Sequence, residues 1–179
     1  METMKILVTG GSAFIGSTIS DSLSTKYKVI SPTSQQLNLL NASDVKDYLN
    51  KNSFDIVIHS ANHLVHPLLK ESKEPSIQLV NNLKMFFNIA INKNLFGKMI
   101  YFGSGAEFGR ENWKSKMKES YFGNHYPTDQ YGLSKYFMNI HTRLSKNIYN
   151  LRLFGMYGTK DDWRFRFIPY ICAKAFLNE

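Results

Sequence analysis

Tyr131 and Lys135 stand four residues apart in Pro127-Thr128-Asp129-Gln130-Tyr131-Gly132-Leu133-Ser134-Lys135. On a helix that spacing puts both side chains on one face, where they can meet a common ligand. A free tyrosine has a pKa of about 10; a neighbouring ammonium stabilises the phenolate and lowers that value, as acid/base work near neutrality requires. Ser104, after the apolar run Met99-Ile100-Tyr101-Phe102, offers a hydroxyl that can steady charge on a reacting oxygen. A second pair with the same spacing, Tyr170 and Lys174, follows Pro169 with nothing comparable around it and reads as packing plus a solvated ammonium.

The other chemical feature is Thr9-Gly10-Gly11-Ser12-Ala13-Phe14-Ile15-Gly16. Between a strand and a helix, such a turn brings main-chain N–H groups and a helix N-terminus to a diphosphate. Its plainer reading is a tight strand-to-helix turn with no ligand, and position in the fold separates the two.

The elements that must position these groups follow from periodicity. Lys5–Thr9, Lys28–Ile30, Asp55–His59, Lys98–Phe102 (ending at Gly103) and Ile148–Leu153 read as strands. Helices are expected after Phe14, after a cap at Asn41 or Ser43, over Ile77–Asn92, over Tyr131–Arg143, and over Ile168–Leu177 entered through Pro169. From Arg110 to Thr128 the pattern breaks into a polar loop, a length that usually serves function. Repeated alternation of apolar strands with helices predicts an α/β fold, a doubly wound parallel sheet with helices on both faces. Ligands of such sheets bind at the C-terminal edge of the strands, which is where Ser104 falls.

Composition bounds the rest. The chain has 179 residues, 43% apolar and 20% charged, enough for one sizeable core. A single cysteine, Cys172, excludes an intramolecular disulfide and any multi-cysteine metal site. The start lacks a signal-peptide layout and no run approaches the ~20 apolar residues of a membrane span, so a cytoplasmic, non-membrane protein is expected. The net charge of +8 alone does not choose a partner. Lys114, Lys116 and Lys118, beside Trp113 and Tyr121, read as a solvated face rather than a nucleic-acid site. His59, His63 and His66 have no acid or cysteine at ligand spacing and read as a strand-end cluster, with no metal.

Taken together these motifs resemble the extended short-chain dehydrogenase/reductase family, the NAD(P)-dependent nucleotide-sugar epimerases, dehydratases and reductases. The likeness runs nearly end to end, through the glycine turn, Ile58-His59-Ser60-Ala61-Asn62, Asn82 and Asn88, Gly103-Ser104, Tyr131-x-x-x-Lys135, Arg152-Leu153-Phe154-Gly155-Met156-Tyr157-Gly158 and Arg166-Phe167-Ile168-Pro169. Leu37-Asn38-Leu39-Leu40-Asn41 is most similar to the GDP-fucose synthase and dTDP-rhamnose reductase branch. The resemblance implies that Tyr131 is the acid/base, that Lys135 binds the nicotinamide ribose and tunes Tyr131, and that Ser104 holds the sugar oxygen. It places the coenzyme against Gly10, Ser12, Ala13, Phe14, Ile15 and Gly16, then Ser31, Thr33 and Ser34, with Asn38 and Leu39 beside adenine. Ser60, Ala61, Asn62, Asn82, Phe102, Leu153 and Met156 complete that set, joined by Tyr131 and Lys135. Gly105, Ala106 and Arg166 fall on the substrate side. The implied partner is a nucleotide-activated sugar, and a homodimer through the long helix and the Tyr131 helix is the family expectation.

Departures from the family pattern narrow the reading. Ala13 replaces the usual middle glycine. The acid expected about 20 residues past the turn is missing, since none lies between Asp21 and Asp44. The coenzyme is therefore NADP or NAD, with NADP slightly preferred. Ser104 is followed by Gly105-Ala106 rather than Asp-Glu, which argues against dehydration. The Cys and His that fucose synthases use for epimerisation fall at Ala106 and Arg166, which leaves 4-epimerisation or ketone reduction. Gly155 stands where many relatives have Asn. The expected organisation is one NAD(P)-binding domain over residues 1–179, ending where the substrate-binding region begins, as a fragment or a natural truncation. The rival reading is a truncated, non-catalytic dinucleotide-binding protein, which would bind the coenzyme without turnover.

Overall fold

The computed structural model describes residues 3–63, 65, 75–164 and 166–178. Five strands, β1 (Lys5–Thr9), β2 (Lys28–Ile30), β3 (Phe54–His59), β4 (Phe96–Ser104) and β5 (Ile148–Leu153), form one sheet in the order β2-β1-β3-β4-β5. All four pairings are parallel, for example Ile6↔Val29, Leu7↔Val57, His59↔Tyr101 and Ser104↔Leu153. The helices are α1 (Phe14–Ser24), α2 (Ala42–Asn52), α3 (Gln78–Ala90), α4 (Gln130–Arg143) and α5 (Phe167–Leu177).

Side chains alternate across each strand, so one short run serves two cores. Leu7, Val57, Met99 and Tyr101 face α2, α3 and α4 and pack with Val45, Leu49, Phe86, Ile89 and Met138. Ile6, Val8 and Ile58 face the other way, with Ile19 and Leu23 of α1. The doubly wound parallel sheet expected from the alternation is the observed fold. The chain leaves β1 for β2 on one side and then crosses back to β3 on the other, so the crevice between the C-terminal ends of β1 and β3 is a topological switch point.

Asn41 supplies the cap of α2, its Oδ1 accepting from the Ser43 and Asp44 N–H groups. β4 runs longer than the expected Lys98–Phe102, passing through Gly103 to Ser104. Gly103 does not end the strand because its missing side chain leaves room for the Glu107 carboxylate and the Asn150 amide, which a Cβ would strike. α5 begins at Phe167, so Pro169 is its third residue, and none of its residues is buried. The 110–128 segment contains short 3-10 turns at Arg110–Asn112 and Glu119–Tyr121 and is pinned by Phe122, whose ring stacks on Tyr136 at 4.7 Å. Among the described residues no helix is long and apolar enough to cross a membrane.

Candidate active site

Helix α4 is started by Asp129, whose Oδ1 accepts the Gly132 N–H at 2.8 Å. From that cap Tyr131, Lys135 and Asn139 follow at intervals of four, aligned on the face toward the end of β4. The Lys135 Nζ donates to the Phe102 carbonyl at 2.9 Å and lies 5.7 Å from the Tyr131 ring centroid. The Ser104 side chain stands beside the Tyr131 phenol and favours its ionised form. The structure thus brings Ser104, Tyr131 and Lys135 together at the C-terminal edge of the sheet.

Ser104 is held by a reciprocal cap. Its Oγ accepts the Ala106 N–H at 3.2 Å, and its own N–H donates to Glu107 Oε1 at 3.0 Å. Glu107 is fully buried and also accepts from Asn139 Nδ2 at 2.9 Å and from Arg152 Nε and Nη2 at 3.0 and 2.9 Å. Burial holds its carboxyl above the usual range, against the downward pull of Arg152. This network joins β4, β5 and α4 directly behind Ser104. Glu107, Asn139 and Asn150 did not stand out in the sequence, yet Ser104-x-x-Glu107 carries the capping-box spacing that could have revealed the carboxylate.

The electrostatics differ from expectation at Tyr131. Its phenol is pushed up rather than down, because desolvation outweighs the opposing effects of Ser104, Arg110 and Arg166. Lys135 is itself pushed down from 10.5 to about 8 by burial, with Glu107 pulling the other way. Between these two values the unfolded chain binds the extra proton, so stability should climb as pH rises from about 8 to 10. Denaturant titrations across that window should show the rise in wild type and a flatter line in Lys135→Met. A wild-type slope of zero would contradict the burial described here.

At the glycine turn, Gly10 has φ +73° and its Cα faces the Ser60–Ala61 backbone; a Cβ there would sit 2.6 Å from the Ala61 nitrogen. Gly10→Ala should therefore cost about 2 kcal/mol in equilibrium unfolding, and an unchanged midpoint would refute the close approach. Gly16 is buried against the Gly10 carbonyl. Ala13 is the exposed N-cap of α1 in ordinary extended backbone, which explains how a methyl is tolerated in place of glycine. Ser12 is exposed, Phe14 and Ile15 are half-buried in the first turn of α1, and α1 has no side-chain cap. Ser31 donates to the Val8 carbonyl over Gly11, while Thr33 and Ser34 lie exposed beyond it.

The remaining predicted contacts divide. Ser60, Ala61 and Asn62 line the end of β3, and the buried Asn62 Oδ1 has no hydrogen-bond partner among the described residues. Leu153 is half-buried at the end of β5, and Met156 is exposed just past it. Asn38 is exposed, its Oδ1 accepting the Leu40 N–H, whereas Leu39 packs onto the core. Asn82 acts as a strut from behind: it is buried, its Oδ1 accepts the His63 N–H at 2.7 Å, and its Nδ2 reaches Ser134 Oγ. Gly105 and Ala106 are buried beneath the site, with Trp113 Nε1 donating to the Gly105 carbonyl. Arg166 pairs with Asp161 at 3.7 Å and acts electrostatically on Tyr131. His59 is buried, its Nδ1 2.8 Å from Thr9 Oγ1, and is pushed down to about 3 by desolvation and by Lys135, which keeps it neutral. His66 lies outside the described residues.

Comparison with known proteins agrees with this fold. The chain is 30% identical over 111 residues to GDP-L-colitose synthase of Yersinia pseudotuberculosis, covering 60% of this chain and 36% of that protein. It is 30% identical over 89 residues to GDP-L-fucose synthase of Azorhizobium caulinodans, covering 49% and 28%. A solved GDP-mannoheptose C4 reductase from Campylobacter jejuni with NADP bound shares the fold at a TM-score of 0.81 and 23% identity, over 99% of this chain and 56% of that one. The chain thus spans about a third of the length of those curated relatives and a little over half of the solved one. The model of the NAD dependent epimerase/dehydratase family matches residues 6–179, from the first core strand to the last residue, and this chain belongs to that family.

Proposed function

We propose that the protein is a nicotinamide-dependent oxidoreductase of nucleotide-activated sugars, reducing a sugar ketone or epimerising at C4, with NADP slightly preferred to NAD. The observation that carries this reading is the meeting of Ser104, Tyr131 and Lys135 at the strand ends, beside the crevice walled by the glycine turn and Ser60–Asn62. That crevice suits a dinucleotide: Gly10 and Gly16 let the turn pack tightly against the Ser60–Ala61 backbone and the start of α1, α1 offers uncapped N–H groups, and Asn62 Oδ1 is an orphan acceptor among the described residues. No acid follows β2 to repel a 2′-phosphate.

When bound, the coenzyme supplies hydride chemistry at its nicotinamide ring. The protein's part is the proton. Tyr131 gives its phenol proton to the carbonyl oxygen as that oxygen becomes a hydroxyl, or takes one in the reverse direction. Ser104 donates a hydrogen bond to the same oxygen, and Lys135, anchored on Phe102, orients the ribose and places positive charge near the phenol. GDP-sugars are the first substrates to try, given the relatives named above. A homodimer is proposed through α3 and α4, where Val80, Phe137, Ile140 and Leu144 are exposed apolar residues.

Fluorescence titration with NADPH and NADH, followed by coenzyme-linked turnover of GDP-4-keto sugars, tests the reading. Saturable binding with turnover is expected. Binding without turnover of any nucleotide-sugar would favour the non-catalytic alternative, and no binding of either coenzyme would refute both.

A further inference from the structure

Arg110 enters the site from outside the expected set. Gly109, in left-handed backbone at φ +72°, closes the turn after Glu107 with its N–H on the Ala106 carbonyl and swings the chain toward the start of α4. There Arg110 Nη1 meets Asp129 Oδ2 at 3.1 Å, so a single carboxylate caps α4 through one oxygen and tethers Arg110 through the other. The tether leaves the guanidinium carbon 5.6 Å from the Tyr131 ring centroid, as close as the Lys135 ammonium.

We propose that Arg110, tethered by Asp129, is a positioning residue for the proton transfer at Tyr131, supplying a fixed positive charge that favours the phenolate. The proposal rests on Tyr131 being the acid/base described above. The groups facing the phenol are Ser104 from β4, Glu107 from the following turn, Arg110, Lys135 from its own helix and Arg166 ahead of α5. Glu107 opposes ionisation, and burial opposes it most. Lys135, lowered to about 8, surrenders much of its charge in mildly alkaline solution, whereas a guanidinium keeps its proton throughout. Arg110 therefore stands with Arg166 as lasting positive charge beside the phenol, and it is the one tethered to the cap of the tyrosine's own helix, with an effect moderated by its half-exposed side chain.

The test reads the phenol directly, in the 179-residue chain without coenzyme or sugar. Labelling tyrosines with 13C at Cζ gives one resonance that Tyr131→Phe removes, and its position reports the ionised fraction. At about pH 10, the ordinary tyrosine value, Arg110→Met should lower that fraction about fivefold, by a Coulomb interaction at this range weakened by solvent. Arg110→Lys should retain most of it. Added salt should lower the fraction more in wild type than in Arg110→Met, a comparison within each protein that does not depend on their equal stability. Equal fractions in wild type and Arg110→Met, or equal salt responses, would overturn the proposal while leaving the proposed function standing. A chain that shows the fivefold change but binds no dinucleotide would keep the electrostatic coupling of Arg110 to the phenol while sinking the function and, with it, the role in proton transfer.

Discussion

Tyr131→Phe should lower nucleotide-sugar turnover by about two to four orders of magnitude while leaving coenzyme affinity within about twofold. The substitution removes one oxygen and keeps the ring, so the contacts with Arg110 and Lys135 survive. The proposed coenzyme crevice is built from β1, α1 and the end of β3, elements that do not depend on the phenol. What disappears is the proton donor to the developing alkoxide, leaving only the hydroxyl of Ser104, a residue at the end of β4 whose backbone N–H is held by Glu107 and whose Oγ accepts the Ala106 N–H. A step that is rate-limiting in proton transfer then loses its general acid. Turnover within about threefold of wild type would exclude Tyr131 from that role and return the burden to Ser104 or solvent.

Glu107→Ala should be the most destabilising single change near the site, costing about 3 kcal/mol and lowering the thermal midpoint by roughly 10 °C. Removing the carboxylate strands the Arg152 guanidinium, which is nearly buried, together with the amides of Asn139 and Asn150 and the Ser104 N–H. Arg152 also pairs with Glu119 at the rim, so its charge is not wholly abandoned and the loss stays at the lower end for buried pairs. Replacing both partners, as Glu107→Leu with Arg152→Met, should recover part of the loss, because the unpaired charge is gone. Unfolding followed by circular dichroism decides this, and a change below about 1 kcal/mol for Glu107→Ala would mean that water replaces the carboxylate.

The sheet was legible in the sequence because its strands are short aliphatic runs bounded by Gly, Pro and polar residues, and β1, β2 and β5 have the expected limits. β4 overran its expected end because Gly103 reads as a terminator, while in the fold it makes space for a distant carboxylate. Tyr131 and Lys135 could be paired from local helical spacing. The sign of the shift at Tyr131 could not, since burial is set by residues from β4 and the loops around it rather than by the four-residue interval. Arg110 was hidden for the same reason: its partner Asp129 lies across the irregular loop, and no periodicity links the two. At Asn82 the fold adds what the sequence did not show, an amide that bonds His63 and Ser134.

The placement of β1 between β2 and β3 also sets the timetable of biosynthesis. Ile6, Leu7 and Val8 are wholly enclosed only when Ile56, Val57 and Ile58 have paired beside them. The ribosome must therefore extend the chain well past β2 while this greasy trio stays solvent-facing, an interval of a few seconds at about 5–20 residues per second. The pairing of β1 with β3 thus closes the two walls of the switch-point crevice in one late step.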